Sequence, residues 1–414
     1  MLPKEQNELL TRTGRHTPMG QLLRRYWIPA LLSEEIPEPD CPPVQVRMLG
    51  EELVAFRDSQ GRIGILDEHC AHRGTSLYYG RNEECGLRCI YHGWKYDVEG
   101  NILETPAEPL ESDFKKKNRQ TAYPTKEVAG IVFAYLGPKD KMPLFPNYEW
   151  TQVPLNQTYV TKSFQECNYL QGLEGECDSS HLSFLHRTFK AQGQRALYMD
   201  DTAPAYEVEE TDFGLRLVAI RSAGPDKNYV RVSSFVMPVA GCIPAGATTR
   251  EMDGFEVHMY VPIDDTHSWR YDFGFKRSRP VREEEVHRRR QLGPDYRKIR
   301  NSRNHYLQDR EMQKAVNFTG IEDYLNHDSC VTESMGPIYD RSKEHLGVSD
   351  KAVIALRKYL LATVKAFQEG VEPPHLVTDP AKNSFPHIDS IAEVVPSGHW
   401  SQYFKHLTKT APLA

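Results

Sequence analysis

The stretch EHCAHRGTSLYYGRNEECGLRCIYHGWKYD, residues 68–97, contains two short segments that each combine a cysteine with a histidine. One residue separates Cys70 from His72, two separate Cys89 from His92, and sixteen lie between the two segments. Glycines at positions 74, 80, 86 and 93 allow tight turns that direct backbone amides toward a bound group. A [2Fe–2S] cluster with two thiolates on one iron and two neutral imidazoles on the other needs this donor set. The stretch therefore predicts a cluster site with the ligands Cys70, His72, Cys89 and His92.

Two other interpretations of these residues are a zinc site and a chance co-occurrence. Zinc fingers usually place a cysteine pair before a histidine pair, whereas here each segment mixes the two residue types. The spacing, the flanking glycines and the aromatic residues Tyr91 and Trp94 favour the iron–sulfur cluster. Cys85 lies in the same stretch but fits no ligand position, so we interpret it as structural.

The residues around this stretch have the pattern of an all-β domain. VQVRMLGEELVAFRDSQGRIGIL, residues 44–66, predicts three strands with a turn at 59–61, and GIVFAYLG, residues 130–137, predicts another. Near the N-terminus, Thr17 is expected to cap a helix that Pro18 begins. We therefore predict an N-terminal helical segment at 1–40 and a [2Fe–2S] domain at 41–150.

Residues 151–414 predict a catalytic α+β domain, an antiparallel sheet flanked by helices. Strand-like runs alternate there with turn signals, and Asp264-Asp265 has the pattern of a hairpin turn. Helices are predicted at about 167–186, across the charged segment 281–315, and from a cap at Ser349 to Gly370. The basic run 288–290 follows three glutamates and is interpreted as a solvated helix face.

A second candidate metal site lies in CNYLQGLEGECDSSHLSFLH, residues 167–186. Non-haem iron is commonly bound by two histidines and one carboxylate, which leave positions open for oxygen and substrate. His181 and His186 are about 140° apart on an ideal helix, so the helix must loosen or end between them. Asp178 shares a helix face with His181 and is placed to hydrogen-bond a histidine rather than to bind metal. The third ligand should be a distant carboxylate that spacing alone does not locate, and a polar helix face is the alternative.

The pattern C-x-H-R-G … C-x-Y-H-G-W resembles the Rieske oxygenase family, and it lacks the extra cysteine pair of respiratory Rieske proteins. Ile90 occupies a position where that family often has proline. FTGIEDYLNHDSCVTESMGPIYDRSKEHLG, residues 318–347, is similar to the metal-ligand segment of the phthalate dioxygenase branch. The resemblance implies that Asp328 closes the triad with His181 and His186. It also implies that Asp178 bridges to a Rieske histidine, His92 of a neighbouring subunit.

The same resemblance implies the terminal component of an O₂-dependent oxygenase that carries a [2Fe–2S] cluster and Fe(2+). Its expected reaction is dihydroxylation of a phthalate-like aromatic carboxylate, with O-demethylation of a methoxylated aromatic acid as the alternative. Electrons would come from NADH through a flavin and iron–sulfur reductase, and the chain would form homotrimers or stacked hexamers. The rivals from other classes are a Rieske electron carrier without oxygen chemistry and a zinc-binding interaction protein.

Several polar residues near the predicted catalytic site have open roles. A buried substrate carboxylate would need an arginine partner, and four arginines fall on predicted strands: Arg216, Arg221, Arg231 and Arg270. Arg216 and Arg221 are expected on opposite faces, the sequence does not identify which arginine points inward, and each is expected at the surface. Asn168, Gln171 and Glu174 are expected either near the iron or in capping and packing roles.

Composition excludes several other function classes. The net charge of −6 is modest and spread along the chain, so no nucleic-acid partner is expected. No stretch approaches the roughly 18 apolar residues that cross a bilayer. The first residues lack the apolar core of a secretory signal, which favours a cytoplasmic location and reduced cysteines.

Overall fold

The computed structural model describes residues 1–109, 111–190, 197–244, 253–286 and 291–408. The chain forms two compact units, one spanning Thr13–Phe145 and the other combining Met1–Arg12 with Pro146–Ala414. Residues 13–40, assigned from the sequence to an N-terminal segment, lie within the first unit. None of the described helices is long and apolar enough to cross a membrane.

The helices are short except for one near the C-terminus. In chain order the described helices are α1 (Lys4–Thr11), α2 (Pro18–Leu23), α3 (Phe114–Lys117), α4 (Glu149–Gln152), α5 (Tyr169–Cys177), α6 (Leu197–Asp200), α7 (Arg310–Ala315), α8 (Tyr324–Ser334), α9 (Lys351–Gln368) and α10 (Lys405–Thr408). The predicted start of α2 is confirmed, because the Thr17 hydroxyl accepts the amide of Gly20 at 3.2 Å.

The first unit is built from antiparallel strands. They are β1 (Trp27–Leu32), β2 (Val44–Met48), β3 (Glu51–Arg57), β4 (Ile63–Asp67), β5 (Arg81–Glu83), β6 (Gly86–Arg88), β7 (Lys95–Tyr96), β8 (Ile102–Glu104), β9 (Ala122–Tyr123), β10 (Thr125–Val128) and β11 (Ile131–Tyr135). They form sheets of order β1-β11-β10, β2-β3-β4-β9 and β5-β6-β7-β8. Leu49 and Gly50 join β2 to β3 with φ of 51° and 75°, the left-handed pair that a two-residue hairpin turn requires. The strands predicted within residues 44–66 and 130–137 are confirmed, and Cys85 lies at the tip of the β5–β6 hairpin.

The second unit is built around one antiparallel sheet. Its strands are β12 (Thr158–Gln165), β13 (Ala205–Glu210), β14 (Gly214–Ser222), β15 (Lys227–Val236), β16 (Ala240–Ile243), β17 (Glu256–Pro262), β18 (Ser268–Phe275) and β19 (Ile391–Pro396). The order is β12-β18-β17-β16-β15-β14-β13, and β19 pairs with β15. Helix α5 packs against β16 and β17, beside α8 and α9. The predicted α+β class is confirmed, as is the hairpin turn at Asp264, whose carboxylate accepts the amide of Thr266 at 2.7 Å.

Three predicted helices differ from the observed ones. The helix predicted to His186 ends at Cys177, because the Asp178 carboxylate accepts the amide of Ser180 at 2.7 Å and draws the backbone into a turn. The described residues of the segment 281–315 form short 3₁₀ turns and α7, since charged residues without an apolar stripe gain little from packing. The run 288–290 lies outside the described residues. Helix α9 has Asp350 at its N-cap rather than Ser349, which lies in the preceding 3₁₀ turn.

Candidate metal centres

The two cysteine–histidine segments have matching backbone conformations. The amide of Gly74 donates to the carbonyl of Cys70 at 2.8 Å, and the amide of Gly93 donates to the carbonyl of Cys89 at 3.1 Å. Both glycines have left-handed φ values, 74° and 73°, which a side chain would strain. Two equivalent loops therefore present one cysteine and one histidine each.

The cysteine side chains lie beside each other, and so do the histidine side chains. Both thiols are buried, and the half-buried rings of His72 and His92 lie 4.5 Å apart between centroids. Burial, together with the neighbouring Cys70, raises the pKa of the Cys89 thiol, and burial and the His72 ring lower the pKa of His92. Two cysteines and two histidines brought together in this way are the donor set of a [2Fe–2S] cluster.

Two aromatic residues contact these candidate ligands. The indole of Trp94 stacks on the His72 ring at 4.5 Å with an interplanar angle of 4°. The Tyr96 hydroxyl lies 3.0 Å from the Cys70 sulfur, and because a metal-bound thiolate can only accept, the hydroxyl is placed to donate to it. Tyr96 was missed in the sequence analysis, although it follows the last ligand by four residues.

The second centre combines two histidines with a carboxylate from a distant helix. One ligand atom each from His181, His186 and Asp328 lies within 4.8 Å of the others. His181 is in a 3₁₀ turn that follows α5, His186 comes shortly after it, and Asp328 is on α8. The closest pair is Nε2 of His186 and Oδ1 of Asp328, 3.1 Å apart. Two histidines and one carboxylate this close together are the ligand set that non-haem iron commonly uses.

The protonation states of His186 and Asp328 fit metal binding. Burial alone would lower the pKa of His181, but Asp178 and Asp328 raise it overall. Burial lowers the pKa of His186, so its imidazole is neutral. Burial alone would raise the pKa of Asp328, but His186, Arg270 and His181 hold it well below its ordinary value, so the carboxylate is ionised. A neutral imidazole and an ionised carboxylate are the forms that bind a metal.

Asp178 lies directly after α5 and contacts His181 rather than the central position. Its Oδ2 is 3.4 Å from Nδ1 of His181, and its Oδ1 accepts the hydroxyl of Tyr206 at 3.3 Å. Burial alone would raise the pKa of Asp178, but the hydrogen bonds from His181 and from backbone amides lower it overall. An ionised carboxylate therefore orients the His181 ring.

The expectation that the four strand arginines are surface residues is wrong. All four are buried, because each finds polar partners within the fold. Arg216 pairs with Glu209 at 2.8 Å on one face of β14, whereas Arg221, on the opposite face as predicted, donates to the carbonyl of Ser179 at 2.6 Å.

Arg270 contacts Asp328, the carboxylate of the candidate metal site. Its Nη1 lies 3.2 Å from Oδ2 of Asp328, and its Nε lies 2.8 Å from Asp272. Glu176 is 3.6 Å away, and although burial opposes ionisation, His258 and Arg270 lower the pKa of Glu176 to about 2. The guanidinium of Arg270 is therefore compensated by protein carboxylates.

A cavity of about 530 Å³ opens onto the two histidines and Asp328. Part of its wall is apolar, including Leu217, Ala219 and Ile243. Arg231 also lines it, with 8% of its surface exposed. Its Nη2 donates to the carbonyl of Pro244 at 3.3 Å, and among the described residues no aspartate or glutamate forms an ion pair with it. This cavity therefore presents a buried cation without an anionic partner in the described part of the chain.

The three polar residues that precede Asp178 have capping and packing roles. Asn168 caps α5 through the amide of Leu170 at 3.1 Å, and Gln171 donates to the carbonyl of Thr332 at 2.8 Å. Glu174 forms a buried ion pair with Arg341 at 2.8 Å. The contacts of Gln171 and Glu174 hold α5, the helix that ends just before Asp178, against the rest of the second unit.

Comparison with known proteins defines the class of the chain. Residues 26–115 match the Rieske [2Fe-2S] domain, and residues 134–411 match the family described as LigXa C-terminal domain like. Together with the two donor sets, these matches define the oxygenase subunit of a Rieske-type oxygenase. The chain belongs to the Rieske non-haem iron oxygenases with a LigXa-like C-terminal domain.

Individual relatives agree with this assignment. The chain is 42% identical over 390 residues to the phthalate 4,5-dioxygenase oxygenase subunit of Pseudomonas putida, covering 89% of this chain and 88% of the relative. It is 31% identical over 391 residues to the 5,5'-dehydrodivanillate O-demethylase oxygenase subunit of a Sphingobium species, covering 92% and 85%. A solved structure of a QL mutant of NdmA from Pseudomonas putida CBB5 with caffeine has a TM-score of 0.64 at 18% identity, covering 92% of this chain and 99% of that one, and shows the shared fold.

The predicted family, fold class, cofactors and enzyme class are confirmed. The protein is an oxidoreductase, and members of its family carry a [2Fe–2S] cluster and a non-haem iron at the catalytic site. As an oxygenase subunit it uses O₂ and receives electrons from a separate protein. The rival interpretations as a simple electron carrier or a zinc protein are therefore set aside.

Proposed function

We propose that this chain dihydroxylates the ring of a phthalate-like aromatic carboxylate. In this function Cys70, His72, Cys89 and His92 hold the cluster, and His181, His186 and Asp328 hold the iron. Asp178 links His181 to a Rieske histidine, His92 of a neighbouring subunit, in a homotrimer or stacked hexamer. Electrons come from NADH through a flavin and iron–sulfur reductase.

The observation that supports an aromatic carboxylate as substrate is the guanidinium of Arg231 in the cavity wall. A buried guanidinium without a carboxylate partner is costly, and a bound anion removes that cost. Arg231 lies in the wall of the cavity that opens onto the proposed iron ligands, and among the described residues its one hydrogen bond goes to a backbone carbonyl. A planar carboxylate is the anion that a guanidinium binds best, through two parallel hydrogen bonds. Relatives that act on aromatic acids agree with this choice.

The residues of the chain bind and orient the substrate. Leu217 and Ala219 form an apolar surface that fits an aromatic ring, and Ala219 is the register partner of Arg231 across β14 and β15. The ring would lie on this surface with its carboxylate on Arg231, which directs the ring carbons toward the histidines. An iron(II) bound at His181, His186 and Asp328 would supply the open positions at which O₂ is activated. Substrate, O₂, two electrons and two protons give a cis-dihydrodiol.

The alternative reaction is O-demethylation of a methoxylated aromatic acid. It requires the same metal ligands and the same carboxylate anchor, and the Sphingobium relative is named as an O-demethylase oxygenase subunit. There one oxygen atom of O₂ enters the methyl group, which leaves as formaldehyde, and the other leaves as water. The two reactions therefore differ in the fate of the oxygen atoms.

The test is product analysis with purified protein, NADH, a reductase and ¹⁸O₂. The substrates are phthalate, benzoate, a methoxybenzoate and the dimethyl ester of phthalate as an uncharged match. We expect a cis-diol with both labelled atoms, and a kcat/KM at least about 10-fold lower for the ester, since a charged hydrogen bond contributes about 1.5–3 kcal/mol. Equal activity on ester and acid contradicts the carboxylate proposal. If formaldehyde is released and one of the two labelled atoms is recovered in water, the reaction is the alternative, O-demethylation.

A further inference from the structure

A second buried histidine, His327, contacts one of the proposed iron ligands. It precedes Asp328 on α8 and is buried, with 2% of its surface exposed. Its Nδ1 lies 3.3 Å from Nδ1 of His186. Its Nε2 lies 2.7 Å from the carbonyl oxygen of Ile321 and 3.0 Å from the hydroxyl of Thr319. Both ring nitrogens of His327 therefore have polar partners.

These contacts have one consistent direction of donation. A carbonyl oxygen can only accept, so Nε2 of His327 carries the hydrogen that it donates to Ile321. With this hydrogen on Nε2, Nδ1 of His327 is the nitrogen left to accept, and Nδ1 of His186 donates to it. That leaves the lone pair of His186 on Nε2, the atom that lies 3.1 Å from Oδ1 of Asp328. The opposite direction would place a hydrogen on Nε2, where the metal binds.

We propose that His327 is a positioning residue that holds the His186 ring and fixes the tautomer in which Nε2 binds the iron. The inference rests on the function proposed above, in which His186 is an iron ligand. In this proposal both ligand histidines form a hydrogen bond through Nδ1, but with different partners. His181 uses its Nδ1 toward the Asp178 carboxylate at 3.4 Å, and His186 uses its Nδ1 toward the His327 imidazole at 3.3 Å. Since a carboxylate makes an imidazole more basic than a neutral partner does, His181 is the stronger electron donor to the metal.

Packing alone does not account for His327. An apolar side chain of similar size would fill the same space on α8, but it would leave the carbonyl of Ile321 and Nδ1 of His186 without this partner in a buried site. A side chain that keeps an acceptor toward His186 would preserve the positioning role. Comparing an apolar replacement with one that keeps the acceptor therefore distinguishes a packing role from a positioning role.

The test compares His327→Leu with His327→Gln, whose amide oxygen can accept from Nδ1 of His186. The readout is the rate at which a chelator removes the mononuclear iron, followed by the high-spin EPR signal of the nitric oxide adduct. We expect release about 10- to 100-fold faster in the leucine variant and within about threefold of the wild type in the glutamine variant. The cluster absorbance serves as the control, because its ligands lie in the other unit. Equal release from both variants and the wild type would overturn the proposal.

A measurement on the unmutated protein covers the case in which the leucine variant does not fold. With cobalt(II) in place of the iron, the Nδ1 proton of His186 should give a hyperfine-shifted NMR signal that exchanges slowly with D₂O, because it is held in a buried hydrogen bond. Its absence would overturn the proposal. His186→Ala separates the two levels of inference. Iron retained in that variant refutes the proposed function, whereas iron lost there but retained in His327→Leu refutes the positioning role alone.

Discussion

Replacing Arg231 with methionine removes the cation from the cavity wall and leaves an unbranched side chain of similar reach. We expect KM for the aromatic acid to rise while kcat changes little, because the carboxylate anchor acts equally on the bound substrate and the transition state. A charge-assisted hydrogen bond contributes about 1.5–3 kcal/mol, which corresponds to about a 10- to 150-fold rise in KM. KM for an uncharged ester should not rise. The effect should therefore be specific to the charge of the substrate.

The fold should not need the Arg231 cation. Among the described residues, Arg231 forms one hydrogen bond, to Pro244, and no ion pair. Its replacement by an apolar residue should therefore leave Tm unchanged or higher. The substrate-induced rise in Tm should disappear in the variant. Arg216→Met is the matched control, because Arg216 pairs with Glu209 on the other face of β14 and its loss should lower Tm without changing KM.

The assay is steady-state product formation measured by liquid chromatography, with thermal unfolding in the presence and absence of substrate. A KM within about twofold of the wild type for both acid and ester would refute the assignment of Arg231. So would a large fall in Tm without substrate, since it would identify the guanidinium as part of the fold.

Three further predictions follow from other contacts. Asp178→Asn should lower product formation about 10- to 100-fold, as measured by product yield. The rate at which the reductase reduces the cluster, measured by stopped-flow absorbance, should not change. Burial alone would raise the pKa of Glu174, but Arg341 and Arg357 lower it below 4.5, so its stabilising contribution is complete above pH 4.5 and lost as the pH falls below that value. The difference in unfolding free energy between wild type and Glu174→Gln should accordingly shrink on acidification in urea titrations. Gly172→Ala would place a Cβ 2.0 Å from the Tyr260 ring and should cost about 1–3 kcal/mol in thermal unfolding, whereas at Gly175 the nearest atom is 4.0 Å away and alanine should be tolerated.

The cluster loops could be predicted from sequence because their chemistry is local. All four donors lie between Cys70 and His92, and the glycines that shape the loops are in the same stretch. The pair His181 and His186 was also predicted, and their spacing required the helix to loosen or end between them. The helix ends earlier than that, at Cys177, because Asp178 binds backbone amides of the turn.

The remaining parts of the catalytic site depend on contacts between distant segments. Spacing could not locate Asp328, which required a resemblance to known proteins. His327 is 141 residues from His186 in sequence, and nothing in the local pattern separates it from an ordinary buried histidine. The arginines were expected at the surface because most of the groups that they contact lie on other elements, as Asp328 does for Arg270.

Charge compensation explains why two arginines of one sheet have different roles. Arg270 lies among Asp272, Asp328 and Glu176, so a substrate anion would have to displace a protein carboxylate to reach it. Its binding to Oδ2 of Asp328 instead holds that carboxylate with Oδ1 toward His186. Arg231 has no such partner in the described part of the chain and faces the cavity, so its charge remains available to an anion that enters. The proposed roles of the two arginines, positioning Asp328 for Arg270 on β18 and binding a substrate carboxylate for Arg231 on β15, therefore differ because of which carboxylates the fold supplies to each.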